Sequence, residues 1–83
     1  MNIIAYPLST EKTIRMMESE NKLIFIVSQR ARKPEIKKEI ENMFDVKVVN
    51  IRTANTPDNK KKAYITFDEE TPAIDIATQL GLM

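Results

Sequence analysis

Apolar residues fall along this chain in short bursts, and the spacing inside each burst changes from one to the next. Ile3 to Tyr6 is a brief apolar run halted by Pro7, the pattern of a short edge strand. From Thr10 to Ser19, Ile14 and Met17, with Met16 beside them, recur at helical spacing and predict a short helix. Ser9 is its expected cap, a hydroxyl able to accept from the N–H groups of the first turn. Glu11 sits in that turn, where an acid suits the helix dipole, and Glu20-Asn21 is a polar break. Leu23 to Val27 is continuously apolar and β-rich, which predicts a central strand covered on both faces. After a basic connection from Gln29 to Lys33, Pro34 opens a second helix, where its missing N–H costs nothing. Ile36, Ile40, Met43 and Phe44 form the inward stripe of that helix, which ends near Phe44.

Val46 to Thr53 reads as a strand whose parity changes. Val46 and Val48 share one face and Val49 and Ile51 the other, so a bulge or two-sided burial is expected. Asn55 to Asn59 is turn chemistry, with Asn59 suited to positive φ. In the returning strand Ala63, Ile65 and Phe67 point one way and Lys62, Tyr64 and Thr66 the other. Thr71 as cap followed by Pro72 opens a last helix and Gly81 closes it, with Ile74, Ala77 and Leu80 inward. The resulting order is β-α-β-α-β-β-α. The two strands after the second helix form an antiparallel hairpin, and the last strand is expected to insert between the second and the third. The expected fold class is therefore α+β: a four-stranded, mostly antiparallel sheet with a split β-α-β crossover and two to three helices packed on it.

Composition narrows the function. The 83 residues allow one small domain, and 42% apolar residues can build its core. No apolar run approaches the roughly 20 residues of a membrane span, and the first residues lack the basic start and apolar stretch of a signal peptide. With no cysteine and no histidine, disulfides, thiol nucleophiles, ordinary zinc sites and histidine bases are excluded. A single glycine, Gly81, excludes a glycine-rich phosphate loop. The acids Asp68, Glu69 and Glu70 lie in a polar connection with nothing to raise a carboxylate pKa by burial. No enzyme, no cofactor and no metal site are expected.

The net charge is +1, but the charge is segregated. Arg30 to Lys38 holds five basic residues and one acid, Lys47 to Lys62 again five and one, and Phe67 to Met83 four acids and no base. Such segregation puts strong local potential on a nearly neutral protein. The densest point is Lys60-Lys61-Lys62, which turns the hairpin into a basic corner. A charge run is also what any solvated face looks like, but two basic segments able to converge favour a polyanionic partner.

Pro7 with Thr10-Glu11-Lys12, Phe25-Ile26-Val27, Ala31-Arg32-Lys33 with Ile36-Lys37, Phe44 to Val48, Lys61 to Tyr64 and Ala77 to Gly81 stand in an order and at a spacing that resemble the universal L23 family of large-subunit ribosomal proteins in its archaeal form. Pro7 with Thr10-Glu11-Lys12 is similar to the family's opening, and Phe25-Ile26-Val27 to its central strand. Ala31-Arg32-Lys33 with Ile36-Lys37 resembles its second-helix motif, and Phe44-Asp45-Val46-Lys47-Val48 the exit from that helix. Lys61-Lys62-Ala63-Tyr64 resembles its last strand, and Ala77-Thr78-Gln79-Leu80-Gly81 its tail. Two positions depart: Arg52-Thr53 stands where the family has asparagine-threonine, and Asn59 where it often has a turn glycine. The hairpin is also too short for the tunnel-lining role of bacterial relatives.

The resemblance implies that residues 1–83 form one domain that binds ribosomal RNA beside the polypeptide exit, in the cytoplasm, as a structural constituent of the large subunit. It implies neighbouring large-subunit proteins as partners, with no membrane insertion. It also implies that the surface around Ser9 and Glu11 helps form a docking platform for signal recognition particle, nascent-chain chaperones and translocon. Lysine and arginine read phosphate position rather than base identity. The candidate RNA contacts are Lys60, Lys61, Lys62 and Arg52 as one group and Arg32, Lys33 and Lys37 as another. Thr10, Lys12, Thr53 and Asn55 are candidate hydrogen-bonding partners. Tyr64, on the lysine side of its strand, either stacks on a base or packs across the sheet; Lys12 is otherwise a solvated helix lysine. Two rivals stand beside this reading. One is a ferredoxin-like ligand-binding or regulatory module, which would need a pocket and glycines this chain lacks. The other is a protein adaptor using the acidic last segment.

Overall fold

A computed structural model describes residues 3–81. The elements run β1 (Ile4–Pro7), α1 (Glu11–Glu20), β2 (Lys22–Val27), α2 (Lys33–Phe44), β3 (Val48–Asn55), β4 (Lys61–Phe67) and α3 (Ala73–Gln79). The four strands form one antiparallel sheet in the order β1-β2-β4-β3. The last strand does insert between β2 and β3, which makes β2-α2-β3 a split crossover and confirms the α+β expectation. β1 is an edge strand, as the halting Pro7 suggested, and β3 is the other edge.

All three helices cover one face. Leu23, Phe25 and Val27 of β2, Ala63, Ile65 and Phe67 of β4, and Val48 and Ile51 of β3 form a single core with Met17 of α1, Ile36 and Ile40 of α2, and Ala73, Ile76 and Ala77 of α3. Ile24 and Ile26 are buried as well, at 4% and 6% exposure, but on the opposite, helix-free face. Their cover is cross-strand: Tyr64 stands beside Ile24, and Tyr6 and Lys62 stand beside Ile26. The continuous burial expected of β2 is real, and its second face is closed by neighbouring strands rather than by a helix layer.

Local details differ from expectation at four places. Thr10, not Ser9, caps α1: its hydroxyl accepts from the Thr13 N–H at 3.2 Å, and the Thr13 hydroxyl accepts from the Thr10 N–H at 2.7 Å. Ser9 is exposed and lies one residue before the cap. On α2, Met43 is 51% exposed rather than inward. On α3 the inward residues are Ala73, Ile76 and Ala77, while Ile74 is 44% exposed. Thr71 does not cap α3. The Asn21 side-chain carbonyl, from across the fold, accepts from the Ala73 N–H at 2.6 Å. The expected bulge is present: the β3 register shifts between Val48 and Asn50, so Val48 and Ile51 both face the core and Val49 turns outward.

Candidate nucleic-acid interface

The interface is built at the end of the sheet where β2 leaves and β4 begins. Lys61 is registered opposite Val27 on one side and Asn55 on the other, so the β2–α2 loop and the β3–β4 turn meet there. The loop is folded on itself by Ala31 N–H to Ser28 carbonyl at 3.0 Å and Arg30 N–H to Ser28 hydroxyl at 3.3 Å. The turn is closed by Thr56 N–H to Lys60 carbonyl at 2.8 Å, with Asn59 at φ 60° as its left-handed residue. The two segments are then tied together. The Gln29 amide donates to the Asn59 carbonyl, and the Lys61 ammonium donates to the Ala31 carbonyl at 2.7 Å.

These ties bring the two basic segments to one end of the molecule. Arg30, Arg32 and Lys33 lead into the start of α2, and Lys60, Lys61 and Lys62 enter β4 beside them. Among the described residues the ion pairs are Arg15 with Glu11 at 2.8 Å and Lys22 with Glu20 at 3.4 Å, so none engages a base of this end. Cations concentrated without carboxylate partners are suited to phosphate.

The three adjacent lysines do not point together. Strand alternation places Lys61 on the helix side, against Ala31, while Lys62 lies on the helix-free face beside Ile26. Lys60 reaches the same face, where its ammonium donates to the Tyr6 hydroxyl at 3.0 Å. Arg52 and Tyr64 are directly opposite each other across β3 and β4, also on the helix-free face. That face carries Tyr6, Ile26, Lys62 and Ala54 in one cross-strand row and Ile24, Tyr64 and Arg52 in the next.

The remaining candidates scatter. Thr53 and Asn55 have the parity of Ala63 and Lys61 and so face the helix side, away from Arg52. Lys33 and Lys37 line a groove of about 430 Å³ between α2 and β3, together with Val48 to Ile51. Thr10 lines a cleft with Lys60 and Lys62, so the start of α1 belongs to the basic end. Lys12 is exposed on the first turn of α1, as is Glu11, whose carboxylate holds the Arg15 ion pair. Sequence patterning carried no signal for Tyr6 as anything beyond a strand residue, because its partner Lys60 lies 54 positions away.

Two groups of the turn have displaced acidities. The hydrogen bond from Thr56, aided by the Asp58 backbone and by Lys60 and Lys62, lowers the Asp58 pKa below its usual 3.8. The Tyr6 hydrogen bond raises the Lys60 pKa above 10.5. Both groups are therefore fully charged at neutral pH.

Fold and site together define a small α+β protein with one strongly basic end; among the described residues no group of acids could hold a metal ion. A sequence pattern described as "Ribosomal protein L23" matches residues 2–74. Large ribosomal subunit protein uL23 of Methanococcus maripaludis is 41% identical over 98% of this chain and 94% of its own length. The uL23 protein of Methanococcus aeolicus is 40% identical with the same coverage. That of Trypanosoma brucei brucei is 46% identical over 98% of this chain and 49% of its own length. The chain belongs to the L23 family of ribosomal proteins, structural constituents of the ribosome and not enzymes.

Proposed function

We propose that the basic end binds large-subunit ribosomal RNA beside the polypeptide exit, in the cytoplasm, and that the protein is a structural part of that region. The observation that carries this reading is the convergence of the two basic segments through the Lys61–Ala31 and Gln29–Asn59 ties, with no carboxylate bridged to them. Lys60, Lys62 and Arg52 contact phosphates from the helix-free face, and Arg32, Lys33 and Lys37 from the α2 side. Tyr64 is half-buried between Ile24 and Arg52, so its role there is chiefly to hold the row in place. Thr10 and Lys12 extend the contact along the start of α1, and Thr53 and Asn55 border it on the helix side.

The exposed Ser9–Glu11 surface flanks that end. It is proposed as the protein's share of a docking platform for signal recognition particle, nascent-chain chaperones and translocon, with neighbouring large-subunit proteins completing it. Membership of a ribosomal protein family leaves the ligand-binding module and the free-standing adaptor without support. The test is sedimentation: the protein should travel with large subunits at low salt and leave them only at high salt. Sedimentation apart from subunits at low salt would overturn the assignment.

A further inference from the structure

We infer that the cleft between β1 and the β3–β4 turn holds one unpaired nucleotide of the RNA, its base stacked on Tyr6 and its phosphate met by Lys60 and Lys62. The inference rests on the RNA-binding reading above and adds to it a subsite and a stacking residue. The cleft is open to solvent on one side and has a volume of about 440 Å³. Its lining includes apolar Leu8 and Ile26 and polar Thr10 and Asp58 beside Tyr6, Lys60 and Lys62. Tyr6 is 42% exposed, whereas Tyr64, one row away, is half-buried.

The Lys60–Tyr6 geometry decides what the ring is free to do. The ammonium is 3.0 Å from the phenol oxygen and 5.6 Å from the ring centre. That larger distance is close to the sum of the contact and the span from ring centre to oxygen. The ammonium therefore lies off the oxygen end of the ring and covers neither face. A ring pinned at its tip and carried by an edge strand is preorganised for stacking, and stacking is open to any base because every base has a π-face.

Charge sets the orientation of the guest. Lys60 and Lys62 supply cations on the strand side, and the Asp58 carboxylate, one oxygen of which is held by Thr56, repels phosphate from the turn side. A phosphate is directed to the lysines and the base to Tyr6. A base inside a duplex is already stacked and cannot enter, so the site selects unpaired nucleotides.

The experiment measures binding to large-subunit ribosomal RNA for the unaltered protein and for Tyr6→Phe, Tyr6→Leu and Tyr6→Ala, each across a salt series. Tyr6→Phe keeps the ring and should bind within about threefold of the unaltered protein. Tyr6→Leu and Tyr6→Ala should lose about fivefold to a hundredfold, the range for one stacked base, with the salt slope unchanged because no cation is removed. Equal losses for Phe and Leu would make Tyr6 a mere anchor for Lys60 and overturn the stacking. Unaltered affinity in Leu and Ala would overturn the subsite while leaving RNA binding intact. No salt-dependent binding by the unaltered protein would instead bring down the RNA reading itself. Should the Leu and Ala variants not fold, nuclear magnetic resonance of the unaltered protein decides. The Tyr6 ring protons should shift upfield on adding a short single-stranded RNA and stay in place with the same sequence as a duplex; any other pattern overturns the proposal.

Discussion

Asn21 shows how much one polar residue can hold. It ends α1 in the left-handed conformation, at φ 55° and ψ 41°, a region asparagine tolerates better than most residues. Its amide faces the carbonyls of Phe67, Asp68 and Thr71 at 3.1, 3.1 and 3.2 Å, its side-chain carbonyl caps α3, and its main-chain carbonyl accepts from Phe67. Two amide hydrogens serve three acceptors, so the bonds are shared. One residue thereby joins α1, β4 and α3. Asn21→Gly keeps the backbone conformation and the main-chain bond but loses the side-chain bonds; it should lower stability by about 2 kcal/mol in chemical denaturation. Asn21→Ala adds the left-handed penalty and should cost about 1 kcal/mol more. Asn21→Asp should be no better than Gly, since it turns a carboxylate toward three carbonyls. In the sequence Asn21 reads only as a break between two elements, because all its partners but its own helix lie some 46 to 52 positions downstream.

At the scale of elements, what was legible followed from pattern strength. The strict alternation of Ala63, Ile65 and Phe67 identified the β4 core face, and the unbroken run from Leu23 to Val27 marked a central strand. The parity change in β3 announced its bulge, since two inward valine-or-isoleucine positions at odd spacing cannot share a face without an extra residue between them. Where apolar residues were too dense, phase was lost. Ala73, Ile74, Ile76, Ala77 and Leu80 fit more than one stripe, and only packing against the core selects Ala73, Ile76 and Ala77. The α1 cap failed for a related reason: Ser9 and Thr10 are adjacent hydroxyls, and only the buried Thr13, which also donates to the Leu8 and Thr10 carbonyls, fixes which one closes the helix. Thr10→Ala should therefore cost about 1 kcal/mol, while Ser9→Ala stays within about 0.5 kcal/mol, as an exposed substitution does. Thermal melts of the two variants separate these outcomes. A larger loss in Ser9→Ala would return the cap to Ser9.

The whole molecule is electrically polar along β4. Lys60 to Lys62 enter that strand and Asp68 to Glu70 leave it, so the basic and acidic ends are about 20 Å apart, the span of a seven-residue strand. Topology was readable because a hairpin following a crossover has few ways to close. The meeting of the two basic segments was not readable, because it depends on Gln29, Lys61 and the carbonyls they reach. This arrangement sets a specific response to ions. If about five phosphates are engaged, affinity for ribosomal RNA should fall by about two to three decades between 50 and 200 mM salt. Lys60→Ala with Lys62→Ala should reduce the slope by about the two contacts removed, and leave the fold intact because neither side chain belongs to the helix-side core. Lys61→Ala should behave differently. Its ammonium holds the Ala31 carbonyl, so its loss loosens the loop carrying Arg30 and Arg32 and weakens binding beyond a single charge. Acidity should matter little in this range: with no histidine, and with Asp58 lowered and Lys60 raised, affinity should be nearly flat from about pH 6 to 9. Filter binding across salt and pH checks all four outcomes. Equal effects of Lys61→Ala and Lys60→Ala would remove the loop tie from the mechanism, and a flat salt response would remove the phosphate contacts altogether.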